Sequence, residues 1–257
     1  MTPHGTGSEG PGGAPGVALV TGGTSGIGRG IVEYLATSGW KVATNHIGQA
    51  ELARELVDST ADMPGRVNTY EADVTRSAPM AEMVRVVEAD LGPIEAVVTN
   101  AGVVSHHRLW EMPDEEFDRI VQTNLKGTFI CLKQVLPAMV ERRRGSVITI
   151  ASELAFDGAP LLTAYCGSKG GVISLSKSLA KEVAEYGIRV HVIAPGPTLT
   201  PMLMAREASH SAKVLATIPL GRFGDVRDVA RTVDFLLGPG GDFYTGWVFS
   251  PNGGSVM

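Results

Sequence analysis

The sequence predicts a doubly wound α/β fold, one parallel sheet with helices on both faces. Three observations predict it. From residue 17 onward, short apolar runs alternate with stretches of helical period. The first run, Val17 to Val20, passes straight into a glycine-rich turn and then a helical pattern. Hydroxyl, amide and carboxylate side chains stand where several runs end, the edge at which open α/β sheets bind ligands.

Composition narrows the class. A chain of 257 residues can form one large α/β domain or two small ones. No internal linker or repeat divides it, so one domain is expected over 17–257. Met1 to Gly16 is rich in Gly and Pro without an apolar stretch, and reads as a disordered tail rather than a signal peptide. Apolar residues make up 44%, enough for a sizeable core, and 32 glycines suggest many tight turns. A net charge of −5 leaves no basic footprint for nucleic acid, and no apolar run is long enough to span a membrane. Neither partner is expected. Cys131 and Cys166 fall in predicted helices and make no disulfide framework, which suits a cytoplasmic setting.

In Thr21-Gly-Gly-Thr-Ser-Gly-Ile-Gly28, Gly22 permits the tight turn and Gly26 lets a pyrophosphate approach the backbone. Gly28 lets the next helix pack on the sheet, with its N-terminus towards the anion. The spacing is G-x-x-x-G-x-G, and a plain strand-to-helix turn is the alternative reading. The second strand is Lys41 to Thr44. Beyond it stand Asn45, His46 and Ile47, with no acid to hold a ribose 2′-hydroxyl. That favours NADP(H) over NAD(H), with Ser25 and Arg29 as further phosphate contacts. Read alone, His46 is an exposed loop histidine.

Residues 49–61 are helical by period. Arg66 to Tyr70 is the third strand, closed by Asp73 and Val74. A carboxylate there suits an adenine amino group, or simply starts a turn. A helix, 78–91, and a fourth strand, Ile94 to Thr99, follow. The strand runs into Asn100-Ala101-Gly102, small residues against which a flat nucleoside can lie. His106, His107, Arg108 and Trp110 form the next loop. No further ligand has metal spacing, so no metal is expected and the loop reads as an exposed rim. A long helix runs from Pro113 to Met139. It holds Asn124, a polar residue in an apolar segment that either shapes the helix or serves a site. Glu141 to Arg144 is a solvated charge run at the helix end.

Gly145 to Ala151 is a buried strand with Ser152 at its carboxyl end. Tyr165 and Lys169 stand four apart on the next helix, 165–185, and so share a face. An ammonium beside a phenol favours the phenolate, which lets the tyrosine move a proton near neutral pH. The strand 188–194 meets Pro195-Gly196-Pro197. Residues 198–218 read as a helical flap whose apolar face, Met202, Leu203, Met204, Val214 and Leu215, can cover a substrate. A helix, 226–237, and a last strand, 247–250, complete the chain.

Taken in order, the glycine turn, Asp73, Asn100-Ala-Gly102, Asn124, Ser152, Tyr165-x-x-x-Lys169 and Pro195-Gly196 resemble the motifs of short-chain dehydrogenase/reductases. The resemblance covers essentially the whole chain from Val17. It implies a Rossmann-like fold and hydride transfer between a nicotinamide and a ketone or secondary alcohol. It implies that Tyr165 is the general acid in reduction and that Lys169 lowers its pKa and binds the nicotinamide ribose. Ser152 would hold the carbonyl and Asn124 would anchor a relay water. The implied cradle for the cofactor is Gly22, Thr24, Ser25, Gly26, Ile27 and Gly28. Asn45 and His46 would lie at the ribose, Asp73 and Val74 at the adenine, and Asn100, Ala101 and Gly102 beneath the nucleoside. Pro195, Gly196, Thr198 and Thr200 would hold the nicotinamide end.

Within that family the chain is most similar to 3-oxoacyl-[acyl-carrier-protein] reductases and polyketide ketoreductases. Thr123-Asn-Leu-Lys-Gly127, Ser176-Lys-Ser-Leu-Ala180 and Pro219-Leu-Gly-Arg-Phe-Gly224 carry that likeness. It implies a carbonyl substrate of β-ketoacyl type, possible thioester linkage, and a homo-oligomer, dimer or tetramer, built on helices 124–139 and 165–185. Some positions depart from the pattern. Ser25 stands where those reductases often carry Arg. Arg143 matches the first of two basic residues that dock an acyl carrier protein, but Tyr186 replaces the second, so that partner stays open. Glu153 follows Ser152 where a small or apolar residue is expected; it either touches substrate or faces solvent. His191 takes a position often held by Asn and reads as a satisfied strand histidine. Two other functions stay open: an NAD-dependent alcohol, sugar or steroid dehydrogenase, and a catalytically silent nucleotide-binding partner.

Overall fold

A computed structural model describes residues 16–204 and 208–257 of the chain. The expected tail, Gly16 apart, lies outside the described residues. In chain order the strands are β1 Val17–Thr21, β2 Lys41–His46, β3 Arg66–Glu71, β4 Ile94–Thr99, β5 Gly145–Ile150, β6 Ile188–Ile193 and β7 Val248–Phe249. They form one seven-stranded sheet in the order β3-β2-β1-β4-β5-β6-β7, with every neighbouring pair parallel. The chain steps outward from β1 to β3, then returns to place β4 on the other side of β1. That reversal opens a crevice at the carboxyl ends of β1 and β4.

The helices are α1 Gly26–Thr37, α2 Ala50–Ser59, α3 Ser77–Leu91, α4 Asp114–Val121, α5 Gly127–Arg142, α6 Leu154–Asp157, α7 Thr163–Val183, α8 Pro201–Met204, α9 Ala208–Ala216 and α10 Val226–Leu237. Strand alternation divides the core between two faces. Val17 and Leu19 of β1 join Met80 and Val87 of α3 and Ile130 and Val135 of α5 on one face. Ala18 and Val20 join Ile31 and Leu35 of α1 and Val233 of α10 on the other. Gly30 lets α1 and α10 meet, since a Cβ there would lie 2.6 Å from Val226. The reciprocal bonds of Asp225 and Asp228 start α10 cleanly.

Four departures from the sequence reading matter for the site. β2 runs two residues further, so Asn45 and His46 belong to the strand and are buried. The long helix from 113 to 139 is broken: α4 ends at Val121, Gln122–Lys126 forms one π turn, and α5 begins at Gly127. The short α6 follows Ser152, where no helix was expected. In the charge run at the end of α5, Arg142 donates to the Ile94 carbonyl at 2.8 Å and Arg144 pairs with Glu95 at 3.0 Å, so these cations brace β4.

Candidate active site

A cavity of about 670 Å³ opens at the crevice and runs from the end of β2 to Ser152. Its floor is the turn between β1 and α1. Gly22 and Gly26 take φ of +66° and +54°, which glycine adopts without a Cβ penalty. A Cβ on Gly28 would sit 2.3 Å from the Gly22 carbonyl oxygen and 2.5 Å from Asn100 Nδ2. Position 28 is therefore closed to a side chain, and Ser25, Gly26 and Ile27 present the start of α1 to the cavity. Thr24 does not line the cavity; it is buried, with its hydroxyl on Gln49 Oε1 at 2.6 Å. Arg29 does not line it either, being paired with Glu33 at 2.7 Å.

The other walls are strand ends. Asn100 donates through Nδ2 to the Thr21 and Gly22 carbonyls at 3.0 and 3.1 Å, stapling β4 to the glycine turn. Asn45 is a second staple: Oδ1 accepts the Gly22 amide at 3.2 Å and Nδ2 donates to the Ala72 carbonyl at 2.8 Å. His46 lines the same end, and its Nδ1 is buried with no partner among the described residues. Asp73 holds its own turn through Thr75, both of whose bonds are 2.8 Å, and lines the cavity beside Val74. Ala101, Gly102, Pro195, Gly196, Thr198 and Thr200 complete the expected set.

At the far end Lys169 is buried and donates to the Ile150 carbonyl at 2.7 Å. Its Nζ lies 5.9 Å from the Tyr165 ring centroid, across the i,i+4 turn of α7. Burial pushes the Lys169 pKa down to about 8. Ser152 stands two residues beyond β5 with its Oγ accepting the Leu154 amide at 3.2 Å, and its own proton has no acceptor among the described residues. Asn124 is different. It is fully buried in the π turn and does not line the cavity. Its amide is spent on the Val103 backbone and on Ser168 Oγ.

The structure settles other readings. Glu153 neither faces solvent nor lines the cavity; it is buried against Ser255. His191 is buried without a partner for either ring nitrogen among the described residues, so it is not a satisfied histidine. In the flap, Thr200, Pro201 and Leu203 line the cavity, Val214 and Leu215 are half-buried and Met204 is exposed; the Met202 side chain lies outside the described residues. Among the described residues no three His, Cys, Asp or Glu gather as a metal site, and no helix is long and apolar enough to cross a membrane.

Comparison with known proteins agrees with this geometry. Residues 16–211 match the family model for short chain dehydrogenases. The chain belongs to the short chain dehydrogenase family. It is 36% identical over 240 residues to 3-oxoacyl-[acyl-carrier-protein] reductase of Staphylococcus epidermidis, covering 93% of this chain and 98% of that one. The reductase of the same name from Thermotoga maritima is 36% identical over 94% of this chain and 98% of its own, and that from Haemophilus influenzae 37% over the same shares.

As a short chain dehydrogenase the protein is an oxidoreductase that interconverts C=O and CH–OH with a nicotinamide cofactor. The cradle fits that group: Gly28 admits no Cβ, α1 points at it, and Lys169 supplies a buried cation at the other end. The expected site set leaves out four polar wall residues, Gln49, Thr75, Arg119 and Thr123. Arg119 arrives through the tertiary packing of α4, which leaves no local signal in the sequence, and Thr123 stands in a family phrase that does not by itself place it in the wall.

Proposed function

We propose that this short chain dehydrogenase reduces a ketone of β-ketoacyl or polyketide-like type with NADPH. The observation that carries it is the buried Lys169 ammonium beside Tyr165, one turn along α7 and opposite Ser152 at the end of β5. The bound nicotinamide supplies the hydride. Ser152 fixes the carbonyl oxygen by a hydrogen bond from its hydroxyl, keeping its own proton. Tyr165 gives that oxygen the proton that completes the alcohol, and the Lys169 charge favours the phenolate left behind. Asn124 acts by holding the π turn and the backbone after β4, not by touching substrate. Residues 17–257 form the catalytic unit.

The cofactor preference rests on the end of β2. No carboxylate stands there, which disfavours a ribose 2′-hydroxyl and so NAD(H). Asn45 is engaged on both sides, so His46 and Ser25 are the contacts left for a 2′-phosphate. The substrate class follows the printed names of the relatives. Carrier docking has less support: Arg143 donates to the Glu185 carbonyl and lies 5.5 Å from the Tyr186 ring centroid, held against the residue that replaces the second cation. A small thioester is the better first substrate. A homo-oligomer in the cytoplasm belongs to the same proposal, supported by the exposed Phe129 and the groove between Leu136 and Leu179 on α5 and α7.

The test is absorbance of the reduced cofactor with acetoacetyl-CoA. Oxidation of NADPH, faster than of NADH, is expected. Turnover with NADH alone overturns the cofactor preference, and no turnover with either overturns the substrate class.

A further inference from the structure

The residue after Ser152 is a buried acid with no cation beside it. Glu153 is 5% exposed and forms no salt bridge among the described residues. Burial pushes its carboxyl above the usual range, and Asp157 adds to this. An acid in such a place costs stability unless its hydrogen bonds compensate. Its backbone N–H donates to the Pro195 carbonyl at 3.1 Å, and its Oε2 accepts the Ser255 hydroxyl. The same Oε2 lies so near the nicotinamide-side turn that a Cβ on Gly196 would come within 2.9 Å of it.

Ser255 belongs to a tight C-terminal turn. Asn252 Oδ1 accepts the Gly254 amide at 2.9 Å, and Gly253 and Gly254 take φ of +67° and +88°. The far side of this turn holds the foot of the flap. Leu220 N–H donates to the Gly253 carbonyl at 3.1 Å, and a Cβ on Gly253 would lie 2.7 Å from Ile218. At the head of the flap, Thr200, Pro201 and Leu203 line the cavity. Contacts therefore run without a break from the Ser152 strand end through Glu153 and Ser255 to the base of the flap.

We propose that Glu153 is a positioning residue whose carboxyl fastens the C-terminal turn 252–255 to the Ser152 strand end and thereby sets Ile218 and Leu220 at the foot of the flap and Gly196 at the cavity wall. The kinetic part of this rests on the proposed reduction; the structural part does not. The carboxyl is needed as an acceptor for Ser255, so glutamine replaces it and alanine does not.

The experiment uses the full chain with Glu153→Ala, Glu153→Gln, Ser255→Ala and the Glu153→Ala/Ser255→Ala pair. Amide hydrogen exchange is read over 212–224 and 250–257 without ligand, and KM and kcat are read with acetoacetyl-CoA and NADPH. Glu153→Ala is expected to speed exchange in both segments about tenfold and raise substrate KM at least fivefold, with kcat within threefold. Glu153→Gln restores both. Ser255→Ala shifts both in the same direction, and the double variant is no worse than Glu153→Ala, because the two groups share one bond. Unchanged exchange in Glu153→Ala overturns the proposal, as does a loss of kcat that Glu153→Gln fails to rescue. If Glu153→Ala does not fold, Ser255→Ala decides by its exchange alone. Wild-type protein that leaves acetoacetyl-CoA untouched counts against the reduction, while the exchange results still decide the latch.

Discussion

Asn124 and Val103 form a closed pair: the Val103 amide donates to Asn124 Oδ1 at 2.8 Å, and Asn124 Nδ2 donates back to the Val103 carbonyl at 3.0 Å. The pair ties the π turn to the chain leaving β4, beneath Gly102. Asn124→Asp replaces the donor with an acceptor facing a carbonyl. A buried group left unsatisfied costs about 1–3 kcal/mol, more if charged. The urea midpoint should therefore fall in Asn124→Asp, and further than in Asn124→Ala. Turnover should fall in both, because Val103 and Gly102 line the cavity. Equal stability of wild type and Asn124→Asp, measured by urea unfolding, would contradict the pairing.

Tyr165→Phe keeps the ring beside Lys169 and removes only the hydroxyl. A positioned general acid contributes about 10²–10⁴-fold, and turnover should drop by that order. NADPH binding, followed by fluorescence titration, should change by less than about threefold, since the cradle from Gly22 to Asp73 is untouched. Turnover at the wild-type rate would remove Tyr165 from the mechanism.

Lys169 is held charged at a cost. Its folded pKa, about 8, lies below the ordinary value of 10.5. Protons bound in the folded and unfolded states differ only between those values, so stability from this group rises with pH from about 8 to 10.5 and the whole penalty is present at pH 7. Lys169→Met removes it and loses the bond to Ile150. The variant should be inactive yet no less stable than wild type, with a gain of up to about 3 kcal/mol. Thermal unfolding at pH 7 reads this directly. A large drop in Tm would show that the Ile150 bond outweighs the desolvation.

His46 bears on the cofactor. It lines the cavity at the end of β2, next to an Asn45 that cannot turn away from Gly22 and Ala72. His46→Asp puts a carboxylate where a 2′-phosphate would lie. The ratio of kcat/KM for NADPH over NADH should fall at least tenfold, through repulsion of the phosphate and a new acceptor for the hydroxyl. An unchanged ratio would place the 2′ position elsewhere.

The legible parts of the site are those whose chemistry fixes short spacings. The Tyr165–Lys169 face and the Gly22 to Gly28 turn depend on contacts within one helical turn or one tight loop. The strand-to-helix alternation is equally local, and it carried the sheet. What the sequence concealed is long-range. Asn45 looked like a loop amide because its partners, Gly22 and Ala72, lie 23 and 27 residues away. Ser255 lies 102 residues from Glu153. The π turn at Gln122–Lys126 was hidden for a different reason: one extra residue per turn barely disturbs an apolar period, so the break reads as continuous helix.

His191 makes acid stability a test of the core. It sits on β6, fully buried, edge-on to Phe249 at 6.1 Å, with both nitrogens unpartnered among the described residues. Burial, with the Arg189 charge on the same strand, pushes its pKa down from 6.5 to about 4. The unfolded chain therefore binds a proton between those values while the folded chain does not. The sign follows: no penalty above pH 6.5, a stability loss that grows as pH falls, and a plateau below about 4. At pH 5 the loss amounts to about 2 kcal/mol. His191→Leu keeps a buried apolar group on β6 and carries no proton. The gap between wild type and variant, read by urea unfolding, should widen in the variant's favour by about that amount from pH 7.5 to pH 5. Carboxylates elsewhere titrate in both proteins and cancel from the difference. A gap that stays constant with pH would mean that His191 finds a partner for its proton inside the fold.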